Sequence, residues 1–178
     1  MKQKILLITE TAFMLALLIT LQWITKAFGQ LVTGSCVNAV LAITAFLAGL
    51  PGGLAVAVLS PIFAFVLGIA PNVLTVPAIM VGNSVYVLAL YFLYKRNYAA
   101  KIAAVVLASV GKFAVLYALV NWVVCGLAAQ PLLESGLLKM PMLQLLPASF
   151  GLIQLFTALI GGGVGMLLSE AVKKALHR

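Results

Sequence analysis

The chain has 178 residues, of which three are acidic (Glu10, Glu134 and Glu170) against 11 Lys and Arg, for a formal net charge of +8. Apolar residues make up 65% of it and mean hydropathy is +1.23, more apolar surface than a water-soluble domain of this size can hide. An ordinary soluble domain is excluded, and so is a nucleic-acid reading of the basic charge, because the Lys and Arg residues sit beside the ends of apolar runs, which is the pattern of membrane orientation.

The expected fold is all-α and integral to a membrane, with six transmembrane helices in a single transmembrane domain over 1–178. A span needs about 20 apolar residues, and a helix satisfies its own backbone in lipid. The runs are continuous rather than alternating, which excludes barrel strands. The first span is predicted over 5–25. Its basic start has the look of a signal peptide, but no cleavage pattern follows, so it is read as a retained helix. A polar loop is expected over 26–35, then a short second span over 36–50, ended by Pro51-Gly52-Gly53. The third is predicted over 54–69, with a kink at Pro61, and Ala70-Pro71-Asn72 breaks the chain again. The fourth covers 75–94, the charged turn Lys95-Arg96-Asn97 follows, and the fifth covers 101–127. A connector with Pro131, Pro141 and Pro147 leads to the sixth, over 148–171, and to a basic tail.

Lys2, Lys4, Lys95, Arg96, Lys101, Lys173, Lys174 and Arg178 fall on one side of this topology, and only Lys26 and Lys139 on the other. By the positive-inside rule the N- and C-termini are cytoplasmic. The two longer connectors, 26–35 and 128–147, then face outward.

Polar residues within spans carry the functional question. Lys112 lies in the fifth helix and must pair, snorkel or meet an anion such as a carboxylate or phosphate. Glu10, at similar depth, is a possible partner. Asn83, Asn121 and Gln154 share the outer half; they serve either to bond helices together or to contact a ligand. Trp23, Trp122 and Tyr117 lie at a similar depth, as interface anchors or as stacking surfaces for a flat ligand. Asn121 shares a helical face with Tyr117 and Phe113, whereas Lys112 points to the opposite side. In the first helix Ala12 and Ala16 form a small-xxx-small pair, for packing within the chain or for docking a partner. Gly161, Gly162, Gly163 and Gly165 in the sixth suit close helix packing or a hinge.

Enzymatic constellations are missing. There is no Asp, the one His is His177 in the tail, and no carboxylate pair, metal cluster or Walker motif exists. No catalytic activity, metal or cofactor is expected. Cys36 and Cys125 lack metal or redox spacing; both fall near one membrane face, so a disulfide and two small buried thiols are both open readings.

Six helices with basic inside ends and Ala12-xxx-Ala16 in the first, together with Gln30–Asn38, Leu59–Gly68 and Val81-Gly82-Asn83, resemble the substrate-binding S component of energy-coupling factor (ECF) vitamin transporters. The resemblance implies a multi-pass protein of a bacterial cell membrane. Such proteins capture a vitamin or precursor from outside. They dock on a transmembrane coupling protein carrying two ABC-type ATPase subunits, and topple to deliver the ligand. On this resemblance Ala12 and Ala16 match the docking motif, and the loop 26–35 lids an outer pocket. Asn83, Asn121 and Gln154 are the implied ligand contacts, with Tyr117, Trp122, Trp23 and Lys112 beside them. The lack of carboxylates there disfavours a cation such as thiamine. Two other classes compete with this reading: a scaffold protein of the cell-shape type, and a stand-alone secondary carrier.

Overall fold

The computed structural model describes residues 2–70, 72–94 and 97–175, with the side chain of Lys2 left out. Pro71, Lys95, Arg96, His177 and Arg178, which enter the expected turns and topology, lie outside these residues. The described chain is built of helices. Helix α1 (Lys2–Thr25) leads through a 3-10 turn (Lys26–Phe28) into α2 (Gln30–Leu47), followed by α3 (Gly49–Val66), α4 (Thr75–Leu93) and α5 (Tyr98–Tyr117). Helix α5 runs on as a π-helical segment, Ala118–Leu127, before the short α6 (Ala129–Glu134) and α7 (Met140–Ser149) and the long α8 (Leu152–Ala175). Among the described residues six stretches are long and apolar enough to cross a membrane: α1 to α4, α5 with its π extension, and α8.

Several boundaries differ from expectation, each for a local reason. The loop expected over 26–35 is much shorter, because 30–35 already belong to α2. Gly29 turns the chain with φ +84°, a value that favours glycine. The hydroxyls that made this stretch look like a loop bond to backbone carbonyls instead: Thr33 Oγ1 donates to Thr25 O at 2.9 Å and Ser35 Oγ to Leu31 O at 2.7 Å. Pro51-Gly52-Gly53 does not break the chain either. The reversal is made at Gly49, φ +71°, and Pro51 falls in the first turn of α3. A proline costs nothing there, since its missing N–H would be unpaired anyway. The 128–147 connector contains α6 and α7, which the density of prolines concealed, and the last long helix starts at Leu152.

In lipid, helices associate through tight packing rather than through exclusion of water. One core gathers Leu18, Leu41, Val56, Tyr86, Leu90 and Ala158. A second, formed by Leu116, Val120, Leu138, Leu146 and Phe150, fixes α7 against the π segment. The glycines of α8 act as packing surfaces for α2. A Cβ at Gly165 would lie 2.7 Å from the Ala39 carbonyl oxygen, and one at Gly161 would run into that of Ser35. Gly163 faces open space.

Away from the α1–α2 connection, Lys101 Nζ pairs with Glu170 Oε1 at 2.8 Å, and Tyr94 Oη donates to the same oxygen at 2.5 Å. Phe46 stacks on Tyr94 with ring centroids 4.0 Å apart. This group joins α2, α4, α5 and α8. Cys36 and Cys125 are both free thiols. Helix α1 is the least covered long helix. Leu18, Gln22 and Thr25 are buried, and Ala12 and Ala16 are exposed.

Candidate ligand site

A buried ammonium lies inside the helix bundle. Lys112, 3% exposed, donates from Nζ to Asn38 Oδ1 at 2.6 Å and to Asn83 Oδ1 at 2.7 Å. Charge-assisted bonds of this kind are short and about twice as strong as neutral ones. They draw α2, α4 and α5 onto a single nitrogen. Glu10 does not share this place; it lines a separate cleft with Thr9, Phe13 and Met14.

Each amide is turned toward the lysine by what its NH2 group does. Asn38 Nδ2 donates to Gly34 O at 2.9 Å and to Thr157 Oγ1 at 3.3 Å. Thr157 can accept because its own hydroxyl hydrogen goes to Gln154 O, at 3.0 Å. Asn83 Nδ2 donates to Ala57 O at 3.5 Å. That carbonyl is four residues before Pro61, so it is the one that a proline inside α3 deprives of its helical donor. Helix α3 runs on through Pro61, with the freed carbonyl met from α4. A polar network is worth its place in a low-dielectric interior when every member is satisfied, and here the amide orientations follow from the bonds themselves.

The Lys112 site opens into a cavity of about 380 Å³, within the size range of small-molecule pockets. Three connections contribute to its wall: Lys26, Gly29 and Gln30 after α1, Gly68 to Ala70 after α3, and Phe150 before α8. The first and the last of these are held together at one atom. Gln30 Nε2 and Gln154 Nε2 both donate to Ser149 O, at 3.3 and 3.0 Å, and so satisfy a carbonyl that the end of α7 leaves without a helical partner. Inside the cavity, Gln22 of α1 is 6% exposed, and its Oε1 has no hydrogen-bond partner among the described residues.

The residues singled out from the sequence separate into two groups. Asn83, Gln154 and Lys112 line the cavity. Asn121, Tyr117, Trp122 and Trp23 do not. Trp23 is half-exposed and carries Lys26 Nζ 3.6 Å above its ring. Tyr117 and Trp122, both exposed, meet edge-on at 6.2 Å. They lie five residues apart, the hydrogen-bonding step of the π segment. The Asn121 Nδ2 is instead buried without a partner.

Neither Asn38 nor Gln22 was singled out from the sequence as a site residue. Asn38 fell at the margin of a span placed six residues too late, and Gln22 in the last turn of a helix read mainly for its small residues. The available signal was an amide flanked by apolar neighbours in each case. Comparisons with protein-family models, with curated proteins and with solved structures find no match for this chain.

Proposed function

We propose that this protein captures a vitamin or vitamin precursor from outside a bacterial cell membrane, as the substrate-binding S component of an ECF-type transporter. A transmembrane coupling protein with two ABC-type ATPase subunits then drives delivery. The observation that carries this reading is the cavity. It sits under the connection between the first two helices and is lined by buried amides and one buried ammonium. A protein of the cell-shape scaffold type has no need of such a space.

Other features support the reading. In the proposed topology the six long helices span the bilayer with both termini inside. Lys101 and Lys173 then lie at the cytoplasmic end, and Lys26 at the outer end. Ala12 and Ala16 are exposed on the least covered helix, free to receive a partner helix at close range.

The test is a thermal-shift screen of the detergent-purified protein against B vitamins and their precursors. A ligand present at 100 times its Kd stabilises the folded state by about 2.7 kcal/mol, enough for a clear shift. Absence of any shift, together with failure to co-purify a coupling complex, would sink the reading. Uptake by proteoliposomes without ATPases would favour the secondary carrier.

A further inference from the structure

The cavity holds a positive charge that its own walls do not balance. Its lining contains no carboxylate. The chain's glutamates are placed elsewhere: Glu10 in another cleft, Glu134 near Gln130, and Glu170 with Lys101 and Tyr94. The two groups that receive Lys112 are neutral amides. A second cation, Lys26, stands at the outer rim. An isolated buried charge is costly unless it is paired, so a ligand that brings the counter-charge is favoured here.

The hydrogen-bond inventory narrows what that ligand carries. An ammonium has three N–H donors, and Asn38 and Asn83 take two, which leaves one. The NH2 group of Asn38 is committed to Gly34 O and Thr157 Oγ1, and that of Asn83 gives one of its two N–H donors to Ala57 O, so at most one amide N–H remains beside the ammonium. A phosphate ester carries a charge near −2, and at the buried end of the cavity it would meet a single ammonium, Lys112. A carboxylate, singly charged, is matched by one ammonium. On α1, Gln22 Oε1 is an acceptor with no donor. Between these groups the walls are apolar or small, including Val37, Pro61, Ala64 and Ile79.

On the capture reading above, we infer that the ligand is a compact organic monocarboxylate bearing an N–H or O–H group away from the acid. Its carboxylate meets Lys112 and its donor meets Gln22. The rim lysine adds a field that draws an anion inward.

The experiment compares acids with their neutral counterparts on the purified full chain. The probes are pantothenate and pantothenol, and biotin and biotinamide, whose acids carry such a donor. Riboflavin, thiamine and pyridoxal phosphate complete the panel, and melting shift and titration calorimetry give the readouts. The expected result is that one acid binds, with its neutral counterpart at least about 100-fold weaker, the effect of losing a hydrogen-bonded charge pair. K112M should remove the difference between the members of the pair, and Q22L should weaken the acid by about 10-fold while the acid-over-neutral preference stays. The wild-type comparison stands even if K112M does not fold. Equal binding of an acid and its neutral counterpart overturns the inference. So does binding of riboflavin, thiamine or pyridoxal phosphate alone, and in that case the capture reading survives. No binding by any member overturns both.

Discussion

Pro61 and Asn83 complete one another across the α3–α4 interface. The proline withholds a donor from the Ala57 carbonyl, and the Asn83 amide supplies it at 3.5 Å while turning its own oxygen toward Lys112. A residue type usually read as a helix breaker thereby fixes the orientation of a buried polar side chain one helix away.

The two asparagines of α4 and the π segment should therefore behave differently. Asn83→Ala removes an acceptor from the ammonium and strands the Ala57 carbonyl. A destabilisation of about 2–4 kcal/mol is expected. Asn121→Ala deletes an amide nitrogen that has no partner, and should cost less than about 1 kcal/mol. Thermal unfolding of both variants in the same detergent decides it. Equal losses would contradict the network.

Pro61→Ala restores a backbone N–H that can close the helical bond to Ala57 O. The protein should then be changed by less than about 1 kcal/mol, because the new bond replaces the one from Asn83. In that background Asn83→Ala should cost less, with a coupling of about 0.5–2 kcal/mol in a double-mutant cycle. Strict additivity would show that the two residues are independent.

The glycines of α8 offer a graded test along one helix. Gly165→Ala and Gly161→Ala place a methyl against backbone oxygens of α2 that have no room to move, so a loss of about 1–3 kcal/mol is expected for each. Gly163→Ala meets nothing and should be neutral or stabilising by about 0.5–1 kcal/mol through helix propensity. If Gly163→Ala proved the most damaging, the glycines would be serving as a hinge and not as a packing face.

Ala12 and Ala16 point outward, so Ala12→Leu and Ala16→Leu should leave the melting temperature and ligand shift of the isolated protein unchanged. Their effect should appear only with a partner, as loss of co-purification with the coupling complex. A large drop in the stability of the isolated chain would place the pair in intramolecular packing instead.

The long helices were legible in the sequence because length and continuous apolarity decide them. Their ends were not. Polar residues at 30–35 read as a loop, yet hydroxyls returned to the backbone let α2 begin at Gln30. Pro51-Gly52-Gly53 read as a turn, yet a proline in a first helical turn costs nothing and Gly49 made the reversal. Within the candidate site, Lys112 stood out from its cost in lipid, and Asn83 and Gln154 from their amides. Asn38 did not, because its role depends on a contact across 74 residues of chain, and Gln22 did not because one unpartnered oxygen is visible only in three dimensions. The π-helical segment at Ala118–Leu127 lay beyond any periodicity argument.

One nitrogen closing three helices also limits how such a protein can change in descent. Replacing Lys112 to admit an uncharged cargo would strand the oxygens of Asn38 and Asn83 at once, and replacing either asparagine first would leave the ammonium short of an acceptor. A lineage could alter the apolar walls and so trade one acid for another in single steps, whereas a change in the sign of what it accepts would need several substitutions to arrive together.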